Sequence, residues 1–330
     1  MSISSKLISG LDRAAFSVLR RLGAGERYFW MNRRIFTKFA PERRFLVSVP
    51  GCGRMWLNKV DVINLHLYYF RIWEPAITHL ISEYLRPGDV FVDVGANIGY
   101  YTLLAANLVG PGGRVISIEA SPSIFGTLVR HVSINGCRNV EPCNIAVSEH
   151  EGTMEIFHGP RWNVGSTSLF EGEGKNSEGY VQAKSLDELL DGRDLKRIKC
   201  VKIDVEGAEL QAVRGLQRVL PKLPKECKFF LEASREQLKK QGATTSMVLE
   251  PFLTLGFQAY RIENRYDFDF YDRPSSGFVT PVKIPGVDEE RLIDLLIARD
   301  LGPVPVRSDG IAHEQPLEHA AQPAAGAKAV

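Results

Sequence analysis

What this chain has little of narrows its class before any motif is read. Cysteine is sparse: five in 330 residues, Cys52, Cys137, Cys143, Cys200 and Cys227. They are odd in number and form no C-x-x-C pair. A disulfide framework and a thiolate metal knot are therefore not expected, and a reducing, cytoplasmic compartment is the simplest reading. No run of ~18 apolar residues occurs, so no transmembrane span is expected. The first residues lack the continuous apolar core of a secretory leader. Net charge is only +2, which argues against a nucleic-acid binder held by bulk charge. No internal repeat is found.

What is present is an ordinary globular composition, 44% apolar and 24% charged, long enough for one α/β domain with extensions. The charge is uneven. Residues 1–50 carry ten Lys/Arg against three Asp/Glu. Within residues 4–22, Leu7, Ile8, Leu11, Ala15, Val18, Leu19 and Leu22 fall near helical spacing, with Lys6, Arg13, Arg20 and Arg21 on the other face. Such a basic amphipathic helix docks on the core, meets a partner protein, or lies peripherally on an anionic membrane. Arg33, Arg34, Arg43 and Arg44 then alternate with Phe29, Trp30, Phe36, Phe39 and Phe45. No nucleic-acid module accompanies them, so core aromatics are expected here and nucleic acid is not expected as a partner.

The chain is organised around Asp89–Thr102, D-V-F-V-D-V-G-A-N-I-G-Y-Y-T. Val90–Val92 predicts a buried parallel strand, and Asp93, Gly95, Asn97 and Gly99 turn it into a helix over Ile98–Val109. Dinucleotide loops space their glycines as G-x-G-x-x-G around a pyrophosphate. Here the order is D-x-G-x-N-x-G, and a carboxylate sits where a pyrophosphate would be repelled. A cofactor with an ammonium, a sulfonium and no phosphate is attracted instead; S-adenosyl-L-methionine fits. Arg114–Ile118 predicts the second strand. Glu119 at its end suits two ribose hydroxyls, a feature shared by nicotinamide enzymes.

Four stretches together carry a family resemblance: D-V-G-A-N-I-G-Y-Y-T, V-I-S-I-E-A-S-P, V-K-I-D-V-E-G-A-E and F-F-L-E. Over about Trp73–Ile262 the chain resembles the FkbM-type methyltransferases. The resemblance implies an α/β class I methyltransferase Rossmann-like fold: a mostly parallel seven-stranded sheet with helices on both faces. It also implies methyl transfer from S-adenosylmethionine, often to a hydroxyl of a sugar, glycan or polyketide. Glu74, opening a helix over Trp73–Leu85, resembles a family acid that reaches the cofactor's amino group. Asn144, near the end of a third strand read over Val140–Val147, matches strand ends that contact the adenine. The N-V-G-S-T-S-L run resembles a family G-S-x-S-L element, in a polar loop between strands at Thr153–His158 and Tyr180–Lys184.

Further on, Ile198–Ile203 predicts the fourth strand with Asp204 at its carboxyl end, and Val205–Glu209 opens a helix running to about Leu220. Lys228–Leu231 predicts the fifth strand, ended by Glu232. Gln258–Ile262 is the sixth, and a seventh is expected in Gly277–Ile284. Asp93, Glu119 and Asp204 should converge where parallel strands end. Asp204, Glu206, Glu232 and His158 are the candidate proton acceptors for a hydroxyl. No metal-ligating set is assigned; Asp204 and Glu206 sharing a divalent ion is a lesser alternative. Residues 1–72 are expected as a basic N-terminal extension, 73–302 as the methyltransferase domain and 303–330 as a disordered tail. N-methylation, a nicotinamide-dependent oxidoreductase and a non-catalytic cofactor-binding domain stand as the alternatives.

Overall fold

The computed structural model describes residues 3–160, 162–163, 176–272, 281–284 and 292–301. Two helices, α1 (Ile3–Arg21) and α2 (Gly25–Phe39), precede a hairpin of β1 (Phe45–Val49) and β2 (Gly53–Leu57). Asp61 caps α3 (Val62–Tyr69) by accepting from the Asn64 amide. Then come α4 (Pro75–Tyr84), β3 (Val90–Val94), α5 (Tyr100–Val109) and β4 (Arg114–Ile118). The helix α6 (Pro122–Ile134) starts at a Ser121 cap with proline in its first turn. Next are β5 (Val140–Cys143), β6 (Ala146–Val147), β7 (Gly152–Phe157) and β8 (Ser177–Lys184), followed by α7 (Leu186–Leu189) and β9 (Ile198–Ile203). The chain continues through α8 (Glu209–Arg214), β10 (Lys228–Ser234), α9 (Arg235–Lys240) and α10 (Thr245–Thr254). It ends with β11 (Gln258–Ile262), α11 (Phe268–Asp272), β12 (Val282–Lys283) and β13 (Leu292–Ala298).

The main sheet has the order β12-β11-β13-β10-β9-β3-β4-β5. Strands β5, β4, β3, β9 and β10 are parallel, while β13, β11 and β12 continue the sheet antiparallel. This is the α/β class I methyltransferase arrangement, with seven principal strands and the two-residue β12 at one edge. Its switch point lies between β3 and β9, where the strand order reverses and ligands bind in such sheets.

Three expectations are corrected. Val140–Val147 is not one strand: β5 ends at Cys143, and β6 joins β8 and β7 in a separate three-stranded sheet. The seventh principal strand is Leu292–Ala298, not Gly277–Ile284, of which only Val282–Lys283 is strand. The helix after β9 begins at Glu209 and ends at Arg214, because Glu206 (φ 47°) and Gly207 (φ 102°) hold the chain in the left-handed region first. The tail after residue 303 lies outside the described residues.

Strand alternation divides the core. Val90, Val92 and Val94 join Val201, Ile203, Phe229 and Leu231 beneath α8 and α10. Phe91, Phe230 and Leu296 point the other way, into a layer built by α4, α5 and the aromatic side chains of α1 to α3. Phe16, Phe29, Tyr68 and Phe70 of the N-terminal segment are buried in that same layer.

Candidate active site

The same alternation that buries valine on one face of the sheet sets charge on the other. Asp93 of β3 pairs in register with Lys202 of β9, and Glu232 of β10 stands opposite Asp294 of β13. By parity all four lie on the Phe91 and Phe230 side, under α4 and α5. Glu74 approaches the row from the start of α4, in a left-handed conformation with φ 42°. It is buried, and the hydroxyls of Tyr101 and Tyr266 donate to it at 2.8 and 2.7 Å. The side-chain amide of Asn264 donates to it at 3.3 Å. Carboxylate oxygens of Glu74, Glu232 and Asp294 fall within 4.8 Å of one another.

One buried cation answers these acids. The Lys202 ammonium donates to the Asp204 carboxylate at 2.6 Å and stands 5.0 Å from the Tyr101 ring centroid. Burial alone would depress it, yet Asp204, Glu74 and Asp93 hold it above its ordinary pKa. The acids outnumber it. Burial, together with Asp204, Asp294, Glu74 and Glu206, drives Glu232 well above the carboxyl range. Burial and Glu74 do the same to Asp294. Burial raises Glu74 despite the opposing field of Lys202, and it lifts Asp93 to about 6. Carboxyls raised in this way hold protons until a further positive charge arrives.

A cavity of about 410 Å³ opens beside this row, at the carboxyl ends of β3, β4, β9 and β10. Glu74, Asp204, Glu206 and Glu232 line it together with Gly95, Asn97, Glu119 and Tyr266. Apolar walls come from Ile63, Trp73, Ile118, Ile124, Ile145 and Val147. Arg33 of α2 also borders it, with its guanidinium Nε donating to the Val60 carbonyl at 3.2 Å. The wall thus combines a group of acids with apolar side chains.

The glycine turn is fixed by close backbone packing. Gly95 has φ +80°, and a Cβ there would overlap the carbonyl oxygen of Asp204. The amides of Gly95 and Ala96 both donate to the Ile118 carbonyl at 2.9 Å, which ties the ends of β3 and β4 together. Glu119 completes the tie: its carboxylate accepts from the Asn97 amide and from the Ser121 amide, each at 2.8 Å. Burial lifts it to about 7 against those two amides. Each oxygen accepts one of these amides and retains capacity for a second hydrogen bond. Gly99, with φ 90°, precedes α5 where a side chain would strike Leu128.

Not every candidate residue meets the cavity. Asp93 lies beneath the turn, its Oδ2 accepting from Thr102 at 2.6 Å and its Oδ1 buried without a partner. The Asn144 amide donates to the carbonyls of Glu119 and Ala120 at 2.8 and 2.9 Å, so it buttresses the end of β4. His158 is outside the cavity lining and sits 3.3 Å from Glu178, which also accepts from Ser121 and Ser123. Asp204 is not a helix cap, since Ala208 occupies that position. Glu209 accepts from the Gly207 amide at 2.8 Å and serves the turn. The N-V-G-S-T-S-L element, apart from Asn163 at the cavity edge, lies outside the described residues.

Lys202, Tyr101, Tyr266 and Asp294 carry no role in the sequence reading. Lysine inside the apolar run I-K-C-V-K-I was a visible signal, because an unpaired buried ammonium is costly. The tyrosines gave none; they reach Glu74 from 27 and 192 residues away.

The family model of the methyltransferase FkbM domain matches residues 93–261. Methyltransferase 1 of Beauveria bassiana is 27% identical over 150 residues, covering 39% of this chain and 59% of that protein. The hexuronic acid methyltransferase AglP of Haloferax volcanii is 26% identical over 149 residues, covering 44% and 58%. The chain therefore spans about three fifths of the length of these relatives. Among solved structures, methyltransferase FkbM from Methylobacillus flagellatus KT is 16% identical with a TM-score of 0.38, covering 72% of this chain and 54% of that one.

Proposed function

Because the chain belongs to the methyltransferase FkbM domain family, we propose that it transfers a methyl group from S-adenosylmethionine to a hydroxyl of a sugar, glycan or polyketide-type small molecule. The carrying observation is the charge of the cavity: Glu74, Asp204, Glu206 and Glu232 line it, with Lys202 as the buried counter-ion. A ligand bearing an ammonium and a sulfonium relieves that excess of acid. The Gly95 turn supports the fit, since its backbone leaves no room for a side chain beside Asp204. Glu119 supports it too, offering two carboxylate oxygens to a ribose. When bound, the cofactor supplies an electrophilic methyl group on a good leaving group.

The protein's own contribution is then alignment, charge and one proton. Alignment of two reactants contributes up to ~7–11 kcal/mol to such a step. Glu119 and the turn at Gly95–Gly99 hold the adenosine end, and Glu74 with Asp204 holds the amino end. Glu232 accepts the hydroxyl proton: it lines the cavity, and burial among other acids raises its pKa, so its ionised form is a stronger base than an exposed carboxylate. An acceptor of sugar type is supported by the name of one relative, a hexuronic acid methyltransferase.

The test has two arms. Calorimetry should find binding of S-adenosylmethionine and S-adenosylhomocysteine and none of a nicotinamide dinucleotide. Incubation with methyl-labelled cofactor and host extract should then label an acid- and base-stable ether on a small molecule. A label on nitrogen would overturn the hydroxyl assignment, and dinucleotide binding alone would overturn the whole reading.

A further inference from the structure

The outer surface of the two N-terminal helices has no part in the cavity chemistry, and its composition is unusual. Phe16 of α1 and Phe29 of α2 are buried with ring centroids 6.5 Å apart, so both helices press their inner faces onto one core. Away from Phe16, Leu11 and Val18 of α1 and Leu22 in the turn that follows it are all exposed, Leu22 by 74%. At 3.6 residues per turn Leu11 and Val18 fall within roughly 20° of one another. On α2, Met31, Ile35 and Phe39 follow at i, i+4 and i+8 and are exposed, Phe39 by 72%. Arg27, Arg34 and Lys38 are exposed among them. Glu26 is the single acid of α2.

Scattered exposed apolar residues need no explanation, but two rows of them on adjacent helices do. Interleaved cations narrow the choice of occupant. A second copy of the same face would set Arg27, Arg34 and Lys38 against like charges, because a two-fold contact pairs a surface with itself. A surface that is both apolar and negative accepts both halves of the pattern. No described helix is long and apolar enough to cross a membrane, so the contact lies flat on the surface. We propose that the outer face of α1 and α2 docks on a lipid bilayer carrying anionic headgroups. The same α2 brings Arg33 to the cavity lining, so the docking helix borders the cavity.

Sedimentation of the full-length chain with unilamellar vesicles tests this directly. Phosphatidylcholine vesicles should leave the protein in the supernatant. Vesicles with a third phosphatidylglycerol should carry it down, about tenfold less at high salt, as screening shortens the reach of the basic side chains. Combined Arg27→Glu, Arg34→Glu and Lys38→Glu should lower binding by about tenfold or more. Separately, Met31→Ser with Phe39→Ser should do the same at unchanged charge. Both variants alter exposed side chains, so melting temperature and circular dichroism should match the wild type. Absence of vesicle binding, or binding that neither variant weakens, would overturn the proposal. So would a dimer in sedimentation velocity that the Met31→Ser, Phe39→Ser variant dissolves while vesicles capture nothing; that result assigns the face to a second copy.

Discussion

No side chain fits at Gly95, because the carbonyl oxygen of Asp204 occupies the space a Cβ would take. The turns after β3 and β9 therefore touch through backbone alone, and the Asp204 amide in turn donates to the Val94 carbonyl at 3.0 Å. Gly95→Ala must push these turns apart and also pay for φ +80°, at least ~2 kcal/mol together. Urea denaturation should show that loss. Calorimetry should show the cofactor losing most of its affinity, since Gly95 and Asp204 both line the cavity. Wild-type affinity in Gly95→Ala would mean that the turn does not hold the ligand.

Lys202 is the buried counter-charge for three acids, Asp204, Glu74 and Asp93. Lys202→Met keeps the length and the apolar stem but leaves those carboxylates facing one another. Removing one partner of a buried ion pair costs about 3–5 kcal/mol. The melting temperature should fall sharply at pH 8 and recover in part at pH 5.5, where Asp93, lifted to about 6, regains its proton. A loss that is equal at both pH values would mean that Lys202 acts through packing rather than charge.

The unliganded protein should also be less stable at pH 8 than at pH 5. Asp93 is lifted to about 6 and Glu119 to about 7, both chiefly by burial, while their unfolded counterparts ionise near 4. Between those values the folded chain binds more protons than the unfolded one. Their contribution to stability is therefore complete below pH ~4 and drains away as pH rises through about 6 and then 7, by a few kcal/mol in total, while His66, depressed to about 4 by burial, acts in the opposite sense over the lower part of that range. Lys202 does not enter this window, because its raised pKa lies far above it. Thermal melts across pH 5–8 in one ionic strength measure the slope. A cationic ligand reverses the sign, so S-adenosylmethionine should raise the melting temperature more at pH 8 than at pH 5.

How much of this was legible in the sequence follows from the range of each interaction. Strands β4, β9 and β11 match their predicted limits because β-branched runs bounded by turn residues are local signals. The turn at Gly95 and the acids Glu119 and Asp204 were legible for the same reason: each sits beside its own strand. β13 was missed because its run L-I-D-L-L-I-A carries Asp294, which reads as an exposed residue until Glu232 is seen opposite it. The break between β5 and β6 was hidden, since only Asn144 reaching back to Glu119 and Ala120 shows why the strand stops. The start of the short helix α8 was placed too early because Glu206 adopts a positive φ that its residue type does not announce.

Binding and turnover should separate between two glutamates. Glu119 accepts from Asn97 and Ser121 at the end of β4, whereas Glu232 lines the cavity from β10. Glu119→Gln keeps the shape but replaces one acceptor by a donor facing an amide or a ribose. Losing hydrogen bonds to a charged group costs ~1.5–3 kcal/mol, so affinity for S-adenosylmethionine and S-adenosylhomocysteine should fall alike, by about tenfold to a hundredfold. Glu232→Gln should instead leave both affinities within a few-fold and lower kcat by about 10²–10⁴, the usual weight of a positioned base. The pH profile distinguishes a proton acceptor from a mere prop. Wild-type kcat should climb as pH rises through the raised pKa of Glu232 and then level, because only the ionised carboxylate takes a proton. In Glu232→Gln that climb should vanish. If the variant keeps the climb at reduced height, the proton goes elsewhere, and Asp204 and Glu206, the remaining proton-acceptor candidates that line the cavity, become the residues to replace.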